Sequence, residues 1–227
     1  MDPRSAMLIH GFGCDCRFWE PQATALRAAG WDVATPDLPY HGGPTEGVEQ
    51  SLQGLAAWVV GRLGGTPAVL IGHSMGGMMA LQIAHDRPDL TRAIVLVDAF
   101  PSLSVVVPHL PGMFVPGLHR TVRRWIEDTR EEVFRNMGQR VYGNLWPTVA
   151  DFDAVDWLPA ITCPALMVIG GRQLYRAEDA ERLKADLLLD RLGGPCSVVV
   201  VPMTGHFLNL EEPEAVNGTI LDWLGAL

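Results

Sequence analysis

Ala68-Val69-Leu70-Ile71-Gly72-His73-Ser74-Met75-Gly76-Gly77-Met78-Met79-Ala80 is the stretch that decides how this chain folds. An apolar run reads as a buried strand, and a breaker-free Met/Ala run after it reads as a helix. Between them stands Gly72-x-Ser74-x-Gly76. A serine at so sharp a turn needs glycine two residues to either side, because side chains there would collide. The turn lifts the hydroxyl above the sheet and points a helix N-terminus at it, where developing negative charge is favoured. Gly-x-Ser-x-Gly alone is common. Set between strand and helix, it makes Ser74 a candidate nucleophile.

Outward from this motif, short apolar runs alternate with helical patterns, as in a parallel sheet covered on both faces. The strands are expected at Ala6–His10, Asp32–Thr35, Ala68–Gly72, Ala93–Asp98, Ala165–Gly170 and Ser197–Val201. Most are continuous Val/Ile/Leu runs without alternation, the mark of strands buried on both faces. Helices are expected at Phe18–Ala29, Val48–Leu63, Ser74–Asp86, Ala177–Leu189 and Pro213–Leu224, with Gly30 and Pro88 as stop signals. The fold class is therefore α/β, a mainly parallel sheet of about six strands with helices on both faces.

Residues 101–157 break the rhythm. They hold no convincing buried strand and carry Pro108, Pro111, Pro116 and Pro147. Two amphipathic pieces, His119–Glu127 and Arg130–Tyr142, place Val122, Trp125, Ile126, Val133, Phe134 and Met137 on apolar faces. This reads as a helical lid inserted in a core made of residues 1–100 and 158–227. No internal repeat or low-complexity segment interrupts either part.

Composition narrows the function classes. The chain of 227 residues is 48% hydrophobic and 19% charged, enough apolar material for a sizeable core. A net charge of −9 argues against nucleic acid or an anionic membrane as partner. The cluster Arg120, Arg123 and Arg124 reads as a solvated helix face. Cys14, Cys16, Cys163 and Cys196 do not form a metal-binding set, and Cys14 and Cys16 are too close for an easy disulfide. Reduced thiols, no metal and no cofactor are the expectation. Met1–Ser5 is too short for a signal peptide, and no run of about 18 apolar residues suggests a membrane span. A cytoplasmic protein, monomer or homodimer, acting on a small molecule is expected.

The motifs together resemble the α/β-hydrolase superfamily from end to end. His10-Gly11-Phe12-Gly13 resembles its oxyanion loop, Pro36-Asp37-Leu38-Pro39-Tyr40-His41-Gly42 its loop after the second strand, and Gly205-His206-Phe207 with Asn209, Glu211, Glu212 and Pro213 its histidine loop and last helix. The two antiparallel strands that often open the family are absent. The resemblance implies that the backbone N–H groups of Phe12 and Met75 form the oxyanion hole. His206, between the last strand and last helix, lies on the sheet edge where ligands bind and is the expected base. His10 and His73 flank their motifs and read as structural residues that hold loops.

The acid departs from the family pattern. Gly170-Gly171-Arg172-Gln173 places glutamine where the resemblance leads one to expect aspartate. Asp98 ends the strand after the nucleophile helix, and some relatives take their acid from that neighbouring position. Ser74, Asp98 and His206 also keep the family's nucleophile–acid–base order. Two arrangements stay open: a triad with Asp98, or a dyad whose histidine is oriented by Gln173 or water.

Met113, Phe114, Trp125, Met137 and Trp146 of the insertion, with Trp19, suggest a hydrophobic pocket. The expected reaction is hydrolysis of an ester, thioester or lactone of a small, largely apolar substrate through an acyl-serine. The alternatives are a lyase or cyclase using the same Ser–His pair for proton transfer, and a weakly active binding protein.

Overall fold

Strand runs that are apolar on both faces require cover on both sides, and the chain supplies it in alternation. The computed structural model describes residues 4–106, 115, 118–172 and 174–227. In chain order it contains β1 (Ser5–Ile9), α1 (Glu20–Ala28), β2 (Asp32–Ala34), α2 (Leu52–Leu63), β3 (Ala68–His73), α3 (Met75–Asp86), β4 (Thr91–Val97), α4 (Leu103–Val106), α5 (Arg120–Ala150), β5 (Ala165–Gly170), α6 (Ala180–Asp186), β6 (Cys196–Val201), α7 (Leu208–Glu211) and α8 (Pro213–Gly225). The sheet has six strands in the order β2-β1-β3-β4-β5-β6, with every neighbouring pair parallel. All six strands therefore stand where the sequence puts them, within one or two residues at their ends.

Successive side chains of each strand point to opposite faces, so the sheet builds two cores. One holds Ile9, Leu70, Leu96 and Met167 under Leu55 and Val59 of α2 and Met79 and Ile83 of α3. The other holds Leu8, Ile71, Val95, Val97 and Val168 under Leu26 of α1 and Val216 and Ile220 of α8. Each such side chain, fully buried, contributes about 1.5–3 kcal/mol. Strand order reverses between β1 and β3, which opens a crevice beyond their carboxyl ends. The His10–Phe12 loop and Ser74 both emerge there.

Helix ends differ from expectation for local reasons. α2 starts at Leu52, not Val48, because extended Ser51 caps it and its side chain accepts from Gly54 N–H at 3.0 Å. The turn before α1 is a 3₁₀ segment, Cys16–Trp19, capped by Asp15. α6 stops early because Leu188 is left-handed at φ 57°.

The first amphipathic piece runs on into the second without a break; the interruption in α5 comes at Gly138, whose φ 74° and ψ 157° are non-helical, so that α5 is two helices joined across a kink. No stop residue separates the pieces, and the i,i+4 pairs Arg124–Asp128 and Glu131–Arg135 carry the helix across the junction. The insertion leaves and returns at one neck: Ser102 bridges Asp153, and Ala154 N–H donates to Pro101 O at 2.8 Å. Arg17–Glu132, at 3.0 Å, and Leu52 N–H to Thr148 Oγ1, at 2.9 Å, fasten α5 to the core. Among the described residues no helix is long and apolar enough to cross a membrane.

Candidate active site

Ser74 sits between β3 and α3 at φ 53°, ψ −120°, a strained conformation for a residue with a side chain. Only glycine permits the close passage on either side. A Cβ on Gly72 would lie 2.2 Å from Gly76 O, and one on Gly76 would lie 2.0 Å from Ile9 O. Ser74 N–H donates to Val97 O at 3.1 Å, so the turn is pinned to the end of β4. Ser74 itself remains partly exposed. Met75 is the first residue of α3, and its N–H has no acceptor within the helix.

The loop after β1 arrives against this turn: a Cβ on Gly11 would stand 3.1 Å from the Ser74 Cβ. His10 holds the loop, its Nδ1 2.9 Å from Gly11 O and its Nε2 accepting from Leu38 N–H at 3.1 Å. Phe12 carries an aromatic wall. Its ring centre lies 5.2 Å from Trp146, 5.5 Å from His41, 5.6 Å from Tyr142 and 5.7 Å from Phe134. Met137 is buried in the same core as Phe12 and Met75.

His206 follows β6 on a loop fastened from two sides. Glu211 accepts from Gly205 N–H at 2.6 Å and from Phe207 N–H at 3.2 Å. His73 Nε2–H donates to His206 O at 2.8 Å, so His73 holds a loop, as expected. Burial, and secondarily the neighbouring His206, lower the His73 pKa to about 3, which keeps that ring neutral. Glu211 is shifted the other way: burial raises it above the usual carboxylate value despite its two backbone donors.

The structure joins His206 to Asp98. Nδ1 of the histidine lies 2.6 Å from Asp98 Oδ2, with side-chain exposures of 17% and 0%. In a neutral imidazole whose Nδ1–H donates to a carboxylate, Nε2 keeps its lone pair and is free to accept a proton. Asp98 stands past the end of β4 at φ 45°, and its Oδ1 accepts from Gly170 N–H at 3.2 Å. Its Oδ2 also receives Arg172 Nη2–H, while Arg172 Nη1 donates to Gly170 O at 2.9 Å. Burial alone would raise the Asp98 pKa; the Arg172 charge and the His206 hydrogen bond outweigh it and hold the carboxyl below its ordinary value. The acid stays ionised.

Three expectations need correction or placing. Trp19, expected to border the pocket, is instead, among the described residues, fully buried in the core with Leu8, Ala23 and Leu26, its ring packed edge-on to His73 at 6.5 Å. Trp125 packs on Phe18 at 5.2 Å and lines a groove of about 510 Å³ with Pro21, Val122 and Leu210. Gln173, Met113 and Phe114 lie outside the described residues.

The fold also brings donor atoms of Asp15, Cys16 and Asp37 within 4.8 Å of one another, which the sequence did not suggest. These acids already serve the loop: Asp37 accepts from Cys16 N–H at 2.8 Å, and Asp15 accepts from Arg17 N–H at 2.9 Å. Sequence reasoning missed Arg172, although it directly precedes Gln173, and the bracing role of Glu211. Nothing in local spacing reveals either partner.

Several proteins similar to this chain bear the names of esterases and lipases. A pimeloyl-[acyl-carrier protein] methyl ester esterase of Neisseria meningitidis is 25% identical, covering 74% of this chain and 75% of its own. An sn-1-specific diacylglycerol lipase of Mus musculus is 24% identical, covering 96% and 80%. A thermophilic esterase from Thermogutta terrifontis superposes with a TM-score of 0.74 at 25% identity, over 98% of this chain and 90% of that one. With its sheet order, its strained serine turn and a match running over residues 6–219, this chain belongs to the Alpha/beta hydrolase family.

Proposed function

We propose that this protein is a serine hydrolase that cleaves carboxylic esters, thioesters or lactones through an acyl-serine intermediate. Ser74 Oγ attacks the carbonyl carbon while His206 Nε2 takes its proton; collapse of the tetrahedral adduct expels the alcohol or thiol, which receives that proton. Water then repeats the sequence on the acyl-serine, with His206 again as base. Asp98 orients the imidazole and stabilises its charged form. The N–H groups of Phe12 and Met75 receive the oxyanion, assisted by the N-terminus of α3.

The observation that carries this reading is the 2.6 Å contact between His206 Nδ1 and the ionised, fully buried Asp98. A buried carboxylate on that nitrogen is what a proton-accepting histidine needs, and Gln173 is not required for it. The esterase and lipase relatives support an ester as the bond cleaved.

Residues 101–157 act as a lid over the crevice, with Met137 and Trp146 on its substrate side and Trp125 on the neighbouring groove. The aromatic wall around Phe12 favours a largely apolar small-molecule substrate. Hydrolysis of p-nitrophenyl esters tests the proposal: wild type turns them over and Ser74→Ala does not. Turnover that survives in Ser74→Ala refutes it.

A further inference from the structure

Arg130 lies on α5, half-buried, with its guanidinium carbon 5.3 Å from the Phe134 ring centre and 5.5 Å from that of Phe207. Phe207 is fully buried beside the histidine loop, and Phe134 is half-buried against the loop after β1. Phe207 follows His206 and packs 5.2 Å from its imidazole. Phe134 packs 5.7 Å from Phe12 on the oxyanion loop. Arg130 is thus one ring away from the base on one side and from the oxyanion loop on the other.

Its partners leave the charge uncompensated. The polar contact of Arg130 is Nη1 to Cys14 Sγ at 3.9 Å, and sulfur is a weak acceptor. Among the described residues no carboxylate lies in ion-pair distance of it. By contrast Arg17, Arg87, Arg124, Arg135, Arg172 and Arg182 each hold an aspartate or glutamate within 3.4 Å. The aromatic faces beneath Arg130 attract its charge but satisfy none of its edge N–H donors. The acids nearest in the fold are engaged elsewhere: Asp15 and Glu132 with Arg17, Asp98 with Arg172 and His206, and Glu211 with the histidine loop. Burial lowers the pKa of both His41 and His73 to about 3, so neither adds or cancels charge at neutral pH.

We infer that Arg130 receives an anionic group of the substrate, so that the preferred substrates are esters or thioesters with an apolar body and a carboxylate at one end. The planar guanidinium matches a carboxylate with two parallel hydrogen bonds, and the aromatic rings on either side suit the chain between carboxylate and ester. The inference rests on the serine-hydrolase reading and narrows it.

The test compares the p-nitrophenyl monoester of adipic acid with p-nitrophenyl hexanoate, which differ only in a terminal carboxylate against a methyl group. Wild type is expected to show a kcat/KM at least tenfold higher for the adipate ester, expressed mainly in KM and eroded by 0.5 M NaCl. In Arg130→Gln the ratio of the two kcat/KM values falls to near one, and Arg130→Lys restores part of it. Equal kcat/KM values in wild type overturn the inference. So does an Arg130→Gln protein that loses activity on both esters by the same factor, since that marks a structural role. As a measurement independent of any variant, free adipate is expected to inhibit wild-type hydrolysis of p-nitrophenyl hexanoate competitively and more strongly than the uncharged adipamide does; equal inhibition contradicts the inference. Absence of turnover with both esters removes the hydrolase reading itself and the inference with it, whereas turnover of hexanoate without preference leaves that reading intact.

Discussion

Arg172 and Asp98 form an ion pair sealed from solvent, with side-chain exposures of 2% and 0%, on the same carboxylate oxygen that His206 approaches. The aspartate therefore serves two cations, one permanent and one that appears only when the imidazole is protonated. Permanent pairing keeps Asp98 ionised.

Asp98→Asn keeps the shape of the site and removes the charge that stabilises the imidazolium. Its kcat is expected to fall by about 10³-fold or more, while Gln173→Ala stays within a few-fold of wild type. Steady-state kinetics on one p-nitrophenyl ester decides between them. An Asp98→Asn rate near that of wild type refutes the assignment of the acid.

Arg172→Gln leaves a buried carboxylate without its fixed countercharge, a loss of about 3–5 kcal/mol. The urea midpoint should drop accordingly. In the protein that remains folded, kcat falls as well, because Asp98 loses one of the groups that hold it against His206. An unchanged midpoint and an unchanged kcat mean that Arg172 only fills space.

Glu211→Ala strips the acceptor from the N–H groups of Gly205 and Phe207 and lets the His206 loop wander. Each orphaned buried donor costs about 1–3 kcal/mol, and a misplaced base lowers kcat. Glu211→Gln retains one acceptor oxygen, sets an NH2 against the other N–H, and should recover part of the lost rate. If Ala and Gln behave alike, the brace is not acting through those hydrogen bonds.

Acid should destabilise the protein well before its carboxylates titrate. His41 and His73 have pKa values of about 3 in the fold, against about 6.5 unfolded. Between these values the unfolded chain binds more protons, so stability is full above about pH 6.5 and is lost as pH falls towards 3. The slope reaches roughly 1 kcal/mol per pH unit for each histidine. Urea midpoints between pH 7.5 and 5 measure it, and His41→Gln should flatten the slope.

Much of the fold is legible in the sequence because β3, β4 and β5 are unbroken Val/Ile/Leu runs that fit nothing but a sheet covered on both faces. The glycines at 72 and 76 have one physical use, the turn that holds Ser74. Asp98 could be singled out because Gln173 vacates the usual position, yet its contact with His206 is made across 108 residues and belongs to the folded chain. Trp19 shows the opposite failure: an aromatic beside a catalytic loop looks the same whether it faces ligand or core. The union of the two helical pieces went unseen because their junction at residues 128 and 129 carries no signal either way, and the kink falls instead at Gly138, inside the second piece. Arg130 stands out only when its ring contacts are set beside the carboxylate pairs of Arg17, Arg135 and Arg172.

The most direct test of the account is rapid-quench mass spectrometry during turnover of a p-nitrophenyl ester. The intact protein is expected to gain the mass of the acyl group before the steady state, with peptide mapping placing it on Ser74 and Asp98→Asn accumulating it more slowly. Turnover with no acyl adduct, or an adduct on another residue, contradicts it.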